Sequence, residues 1–536
     1  MAPSGNEYPD LKRGTPAMPR KNSSFASLIT ASLGTVVLFS SACAQIQGRS
    51  PSSSEGAKAE AYFSPHEGKE VFNRIYSLIS QARHEVKVTV YSWSDSEFGE
   101  ALAAAARNGA QVRVVLHPEI REKVSGPASS LEKLGVEFKV ASRNMHEKFV
   151  YITHSKDPLD ATIVNSSANF SRGAATRYSE NIVIQEGAEK HLARQFRREF
   201  AWIWDTSDDF VSGHEGEKPS STEGVMAMLE GDPEAQPSLE RDPEFYSSSM
   251  NTLLMANAPG SKNQAKGRAY SMKDRLGPDG KQTWVIRDLF ISQIDGAKSS
   301  VDCAFNHFNI EAISDALVRA SARGIRVRLN VDNQEFVSRV IPGDTEMTPL
   351  FVSKWQKLPG NAGKVPPVRV KFYSHYPNPA YWLLNHHKFC VIDYDPSKPS
   401  SVKEATLLTG SYNLSETAEH NQFDNMVRYG GREHPELIEK FHAEMQNLWS
   451  WGRTRDDRPD PELLASYSTL VKGSLPVHFQ RAQALTWPEI FEVRKATNQV
   501  APGIFFKLSK RTSGCTFYDP KKQTLWGGNP SSCKAQ

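Results

Sequence analysis

The chain has 536 residues, 39% of them hydrophobic and 23% charged, which suffices for two or three domains each with its own core. A formal net charge of +3 provides no strong basic field for holding nucleic acid non-specifically. The five cysteines match no zinc spacing, which argues against a structural metal.

Lys12, Arg13, Arg20 and Lys21 precede an apolar stretch over 25–39 that ends in Ser40-Ser41-Ala42-Cys43-Ala44. This is the pattern of an export signal over 1–44, and its core is shorter than the roughly 20 residues of a spanning helix. Cys43 is either the lipid-bearing first residue of a lipoprotein or part of a cleavage site. On both readings the mature chain is exported, as a periplasmic, outer-envelope or secreted protein. Residues 45–60, rich in Ser, Gly and Gln, read as a flexible tether.

Structure is expected from residue 61. Apolar spacing predicts a helix over 71–82, a strand over 86–93, a helix over 98–107 and a strand over 112–116, hence an α/β unit with largely parallel strands. Adding 215 to each number finds the unit again: Ile79 and Ile294, Val86 and Val301, Leu102 and Leu317, Gly109 and Gly324, Arg113 and Arg328. The offset grows to 240 at His146 and His386 and to 244 at Asn169 and Asn413. Leu192, Phe196, Glu199 and Trp204 then match Leu437, Phe441, Glu444 and Trp449 on a closing helix. The chain is therefore an internal duplication with a first domain over 61–206 and a second over 245–452.

Residues 207–244 form a Gly-, Pro- and acid-rich linker with a short helical pattern over 225–229, and 259–281 is a basic loop. Residues 453–536 have no counterpart in the first copy and read as a small appendage with strands at 505–508 and 516–518. In an oxidising compartment a Cys515–Cys533 disulfide would staple it around Gly527-Gly528-Asn529-Pro530. Cys303 and Cys390, in apolar strand-like runs, read as buried free thiols.

The chemistry is concentrated in two matching sets. His146 and Lys148, like His386 and Lys388, stand two apart, which on a strand places both on one face. An imidazole can attack or protonate while an ammonium neutralises phosphate oxygens. Asn169 and Asn413 follow small residues, among them Ser167, Gly410 and Ser411, that let a phosphate approach, so Ser167 and Ser411 are candidate substrate contacts. Glu180 and Asp424, each eleven residues beyond its Asn, can fix an imidazole's tautomer. His387 is out of register with Lys388 and is expected on the opposite face.

These residues resemble the repeated signature of the phospholipase D superfamily: His-x-Lys, four residues, Asp, then Gly-Ser-x-Asn. The second copy matches at His386, Lys388, Asp393, Gly410, Ser411 and Asn413, with Asp393 and Gly410 in structural roles. The first departs with Thr153 in place of the Asp and Ser166 in place of the Gly. The resemblance implies two tandem α/β sandwich domains packed about a pseudo-twofold axis, both motifs meeting in one site. A single chain then needs no partner copy. It implies a phosphohistidine intermediate without metal or other cofactor, His146 as nucleophile and His386 as acid and base. The expected substrates are phospholipid headgroup esters at a membrane surface. The stretches around Asn169-Phe170 and Ser179-Glu180-Asn181 resemble the bacterial endonuclease branch, so DNA or RNA is the alternative substrate, and a non-catalytic surface-binding paralogue is a third reading.

Overall fold

The computed structural model describes residues 58–210, 238–251, 283–336, 347–373, 383–462, 482–490, 515–519 and 524–528. The expected export signal, most of the tether, the helix at 225–229, the whole of the basic loop, the strand at 505–508 and Cys533 lie outside these residues, and with Cys533 the expected Cys515 bridge. Among the described residues no helix is long and apolar enough to cross a membrane.

The first half runs β1 (Lys58–Ser64), α1 (Gly68–Ser80), β2 (Glu85–Val90), α2 (Ser96–Arg107), β3 (Gln111–Leu116), α3 (Ser125–Glu132), β4 (Val136–Val140), β5 (Asn144–Met145), β6 (Phe149–Thr153), β7 (Ala161–Ser166), α4 (Arg172–Thr176), β8 (Glu180–Glu186), α5 (Lys190–Asp205) and β9 (Asp208–Asp209). The second runs β10 (Glu244–Ser247), α6 (Val285–Gly296), β11 (Ser300–Phe305), α7 (Glu311–Ala322), β12 (Arg326–Asp332), α8 (Met347–Gln356), β13 (Val368–Phe372), β14 (Lys388–Ile392), β15 (Thr406–Gly410), α9 (Glu416–His420), β16 (Gln422–Phe423), β17 (Asn425–Gly430) and α10 (Pro435–Ser450). Strand β18 (Gln483–Thr486) follows.

Local chemistry places these elements. The Asp95 side chain accepts from Glu97 N–H and starts α2, whose Phe98, Ala101, Leu102 and Ala105 are buried. The helix stops where Gly109 takes φ +88°, and the second copy repeats the stop after α7 with Gly324 at φ +83°. The two sheets have matching orders, β1-β8-β7-β6-β2-β3-β4-β9 and β10-β17-β15-β14-β11-β12-β13-β18, so the duplication seen in the sequence is a duplication of topology.

Two expectations are corrected. Within the two large sheets β2-β3-β4 and β11-β12-β13 are parallel, as the helix–strand alternation predicts, but this arrangement does not extend to the other strands. The remaining ladders of these two sheets are antiparallel, the strand at each His-x-Lys motif, β6 or β14, pairing as a hairpin with the next strand, β7 or β15. The segment beyond 453 is also not wholly an appendage: β18 pairs antiparallel with β13, holding the place that β9 holds beside β4. Further on, Cys515–Asp519 and Thr524–Gly528 form a two-stranded sheet of their own.

Strands buried on both faces separate three large cores among the described residues. Val150 and Ile152 of β6 pack under α1, α2 and α3, whereas Phe149 and Tyr151 on its other face join a core shared by the halves. That shared core contains Phe196 and Phe200 of α5, Phe441 and Met445 of α10, and Phe389 and Val391 of β14. Cys390 and Ile392 face the third core, beneath α6 and α7. Burial of this apolar surface, at about 25 cal/mol per Å², is what holds the halves as one body.

The β11–β14 register sets Cys303 opposite Cys390, and the two are joined in a disulfide, not the free thiols expected. The first copy has Val88 opposite Val150 at the same place, an apolar pair that the cysteines replace.

Candidate active site

Each histidine sits just before a strand of its half's sheet, β6 after His146 and β14 after His386, on a segment that crosses to the other half. Strand β5 pairs in parallel with β16, and His146 N–H donates to Phe423 O at 2.9 Å. The second copy does the same: Ser179 bridges Asn385, and His386 N–H donates to Ser179 O at 2.8 Å. The chain before each acid is thus bonded to the chain before the opposite histidine.

The acids follow this exchange. His146 Nδ1 lies 2.8 Å from Asp424 Oδ1, and His386 Nδ1 lies 2.8 Å from Glu180 Oε2. Each acid shares a proton with an Nδ1, which turns Nε2 of both rings toward the chemistry. The imidazole centroids are 6.5 Å apart with an interplanar angle of 69°, enough room for one phosphate between them. Lys148 and Lys388 donate back to the carbonyls of His146 and His386, the second at 2.7 Å, so both ammonium groups are held beside the rings. The amide oxygens of Asn169 and Asn413 are buried without a hydrogen-bond partner, a polar vacancy suited to a donor or a rotated amide against phosphate oxygens.

The expectation that Ser167 and Ser411 touch substrate is revised. Both are fully buried and donate to the acids, Ser167 Oγ to Glu180 Oε2 at 2.6 Å and Ser411 Oγ to Asp424 Oδ1 at 2.8 Å. Asp393 stands beyond the far end of β14 with φ +62°. Its Oδ1 accepts from the N–H groups of Lys298, Ser299 and Ser300 and so ties the start of β11. Thr153 does a smaller version of this work, its Oγ1 accepting from Glu85 N–H at 2.9 Å, so the missing Asp costs a loop clamp and leaves the reacting groups in place. Gly410 is required by close approach, since a Cβ there would meet Asn425 O at 2.3 Å. His387 faces away from the site, with Nε2 3.1 Å from Glu444 Oε1 of α10.

Burial dominates the electrostatics. It raises Glu180 to about 7 and Asp424 to about 8, with Lys148 and Lys388 pulling both down. It holds both imidazoles well below their ordinary value, and the two ammonium groups push the same way. Lys388 itself is brought down to about 8 by burial. The empty site thus carries its imidazoles neutral, and an arriving phosphate anion would offset the lysines and draw a proton onto one ring.

Sequence reasoning missed three neighbours. Tyr91, at the end of β2, sets its edge against His146 with centroids 5.0 Å apart and its face under Lys148 Nζ at 4.9 Å. Asn181 Oδ1 accepts from Lys388 N–H at 3.3 Å. Lys371 of β13 lies behind His386, buried. No motif marks Tyr91 or Lys371; Asn181 falls in the Ser179-Glu180-Asn181 stretch and repeats at Asn425, but neither signal gave it a contact to Lys388.

Two α/β halves that exchange acids around paired His-x-Lys motifs define the phospholipase D class of fold and site. The family model for the cardiolipin synthase PLD-like domain matches residues 75–204 and 290–449. The chain belongs to the phospholipase D superfamily. A mitochondrial cardiolipin hydrolase of Danio rerio is 26% identical over 147 residues, 27% of this chain and 61% of the relative. The chain thus spans about three fifths of that curated relative's length. Among solved structures, phosphatidylserine synthase of Haemophilus influenzae aligns with a TM-score of 0.46 at 13% identity, covering 72% of this chain and 86% of that one. Nuc of Salmonella typhimurium, a phospholipase D family member, aligns at 0.26 and 22% identity, covering 29% and 99%.

Proposed function

We propose that the protein is an exported phosphodiesterase of the phospholipase D type that hydrolyses phospholipid headgroup esters through a phosphohistidine. The observation that carries this reading is the pair of imidazoles 6.5 Å apart, each oriented through Nδ1 by an acid of the other half. One Nε2 attacks phosphorus, forming the P–N bond as the ester P–O bond breaks, and the other ring gives its proton to the leaving alkoxide. That second ring then takes a proton from water, the oxygen adds to phosphorus, and the P–N bond breaks. Lys148 and Lys388 offset the charge of the non-bridging oxygens, and the amides of Asn169 and Asn413 hydrogen-bond them.

What supports lipid is the modest net charge of +3 and the name of the relatives, cardiolipin being itself a phosphodiester. What supports export is the leader pattern over 1–44, together with a disulfide between Cys303 and Cys390. The endonuclease reading draws on the likeness around Asn169-Phe170 and Ser179-Glu180-Asn181.

The test incubates purified protein with vesicles of phosphatidylcholine and cardiolipin, with supercoiled plasmid, and with bis(p-nitrophenyl) phosphate, each with and without EDTA. Headgroup release that survives EDTA supports the proposal, and added glycerol reveals any transfer to an alcohol acceptor. Plasmid nicking alone would move the substrate to nucleic acid; inactivity on all three would leave a binding protein. Export is checked by fractionating the producing cell and sequencing the N-terminus of the mature chain.

A further inference from the structure

The two junctions where the halves exchange strands are built differently, and the difference lies behind His386. Lys371 Nζ donates to Ser179 Oγ at 2.7 Å and to Leu384 O at 3.2 Å. Ser179 N–H in turn donates to Leu384 O at 2.8 Å, and His386 N–H to Ser179 O at 2.8 Å. One buried ammonium group therefore bonds both strands of the junction, one residue before Glu180 on one side and two before His386 on the other. At the other junction the corresponding places are taken by Ala141 of the first half for Lys371 and Phe423 of the second half for Ser179, and the Arg143 guanidinium stacks on the Phe423 ring at 4.0 Å. A guanidinium stacked on a ring thus stands at the His146 junction where an ammonium bonded to both strands stands at the His386 junction.

Lys371 is 2% exposed. It is enclosed by the Trp451 ring at 4.8 Å and by β18, whose Ala484 pairs with it. A buried lysine with no function in the reaction is a costly substitute for alanine unless its bonds hold something. Burial brings it down to about 8, opposed by Asp332, Glu444 and Glu180.

We propose that Lys371 is a positioning residue of the active site, fixing the Glu180–His386 pair through Ser179 and Leu384 while leaving the Asp424–His146 pair untouched. The proposal rests on the phosphodiesterase reading of the site. It also gives the segment around β18 a task, since that strand closes the sheet edge over Lys371.

The test compares full-length wild type with Lys371→Met and Ser179→Ala. Hydrolysis of bis(p-nitrophenyl) phosphate should lose roughly 10- to 100-fold in kcat in Lys371→Met with KM nearly unchanged, the size expected when a reacting group drifts by a fraction of an ångström to one ångström. In ¹⁵N-histidine spectra the His386 ring signals should move and those of His146 stay. Ser179→Ala, which keeps the lysine and removes one acceptor, should move the same signals less, and it carries the test if Lys371→Met fails to fold. Equal movement of both rings, or movement of neither in a folded variant, would overturn the proposal. The spectra need no turnover, so a wild type inactive on every phosphodiester would count against the hydrolase reading without deciding the role of Lys371.

Discussion

The exchange of acids between halves makes Asp424→Asn a sharp perturbation. The substitution keeps the side chain's shape and removes its ionisable carboxyl, so it alters the bond to His146 Nδ1 at 2.8 Å and the bonds accepted from Ser411 Oγ at 2.8 Å and Gln422 Nε2 at 3.3 Å. A hydrogen bond to a charged group contributes about 1.5–3 kcal/mol, and each 1.4 kcal/mol is about tenfold, so loss of the His146 bond alone should lower kcat/KM by roughly 10- to 150-fold. The asymmetry is the more telling readout. In ¹⁵N-histidine spectra Asp424→Asn should displace the ring signals of His146, 278 residues away in sequence, and leave His386 in place; Glu180→Gln should do the reverse. Steady-state hydrolysis of bis(p-nitrophenyl) phosphate gives the rate, and urea unfolding shows that each variant is intact. If Asp424→Asn moved His386 and spared His146, each acid would serve its own half and the crossed site would be refuted.

Three further outcomes are expected. With Glu180 raised to about 7 and Asp424 to about 8, the two acid–imidazole pairs lose their shared protons in that window. Below it both pairs are protonated and no ring can attack, and above it no acid remains, so kcat/KM should peak near neutral to mildly alkaline pH; a profile still climbing at high pH contradicts this. Cys303→Val with Cys390→Val copies the Val88–Val150 pair of the first half, and opening a loop of sequence separation 87 should cost at most about 4.6 kcal/mol, read as a lower denaturation midpoint. Identical midpoints for wild type with and without dithiothreitol would show that no disulfide forms. Gly410→Ala drives a Cβ to 2.3 Å from Asn425 O and should destabilise by about 1–3 kcal/mol, visible as a lowered Tm.

Much of this was legible in the residues because duplication repeats what a single copy only hints. Gly109 and Gly324 gave away two equivalent helix ends, and the twin His-x-Lys motifs named the reacting groups. The partner of each acid was hidden, because contacts 206 and 278 residues apart leave no periodic mark. The Cys303–Cys390 bridge was hidden for a related reason: strand-like runs do not announce that β11 and β14 are neighbours, still less that these two residues face each other. Hairpin returns after each motif overrode the parallel reading that helix–strand alternation encourages. Lys371 sits in an ordinary strand pattern, and only its burial beside Ser179 marks it.

The crossed acids also bear on when in its life the chain becomes able to react. Synthesis delivers the first half before the second. A chain that has folded only as far as α5 owns His146 but not Asp424, and Glu180 with no His386 to orient. An unfinished or truncated product therefore carries a complete-looking motif without the acid that orients its histidine, and both pairs are assembled only once the second copy is in place.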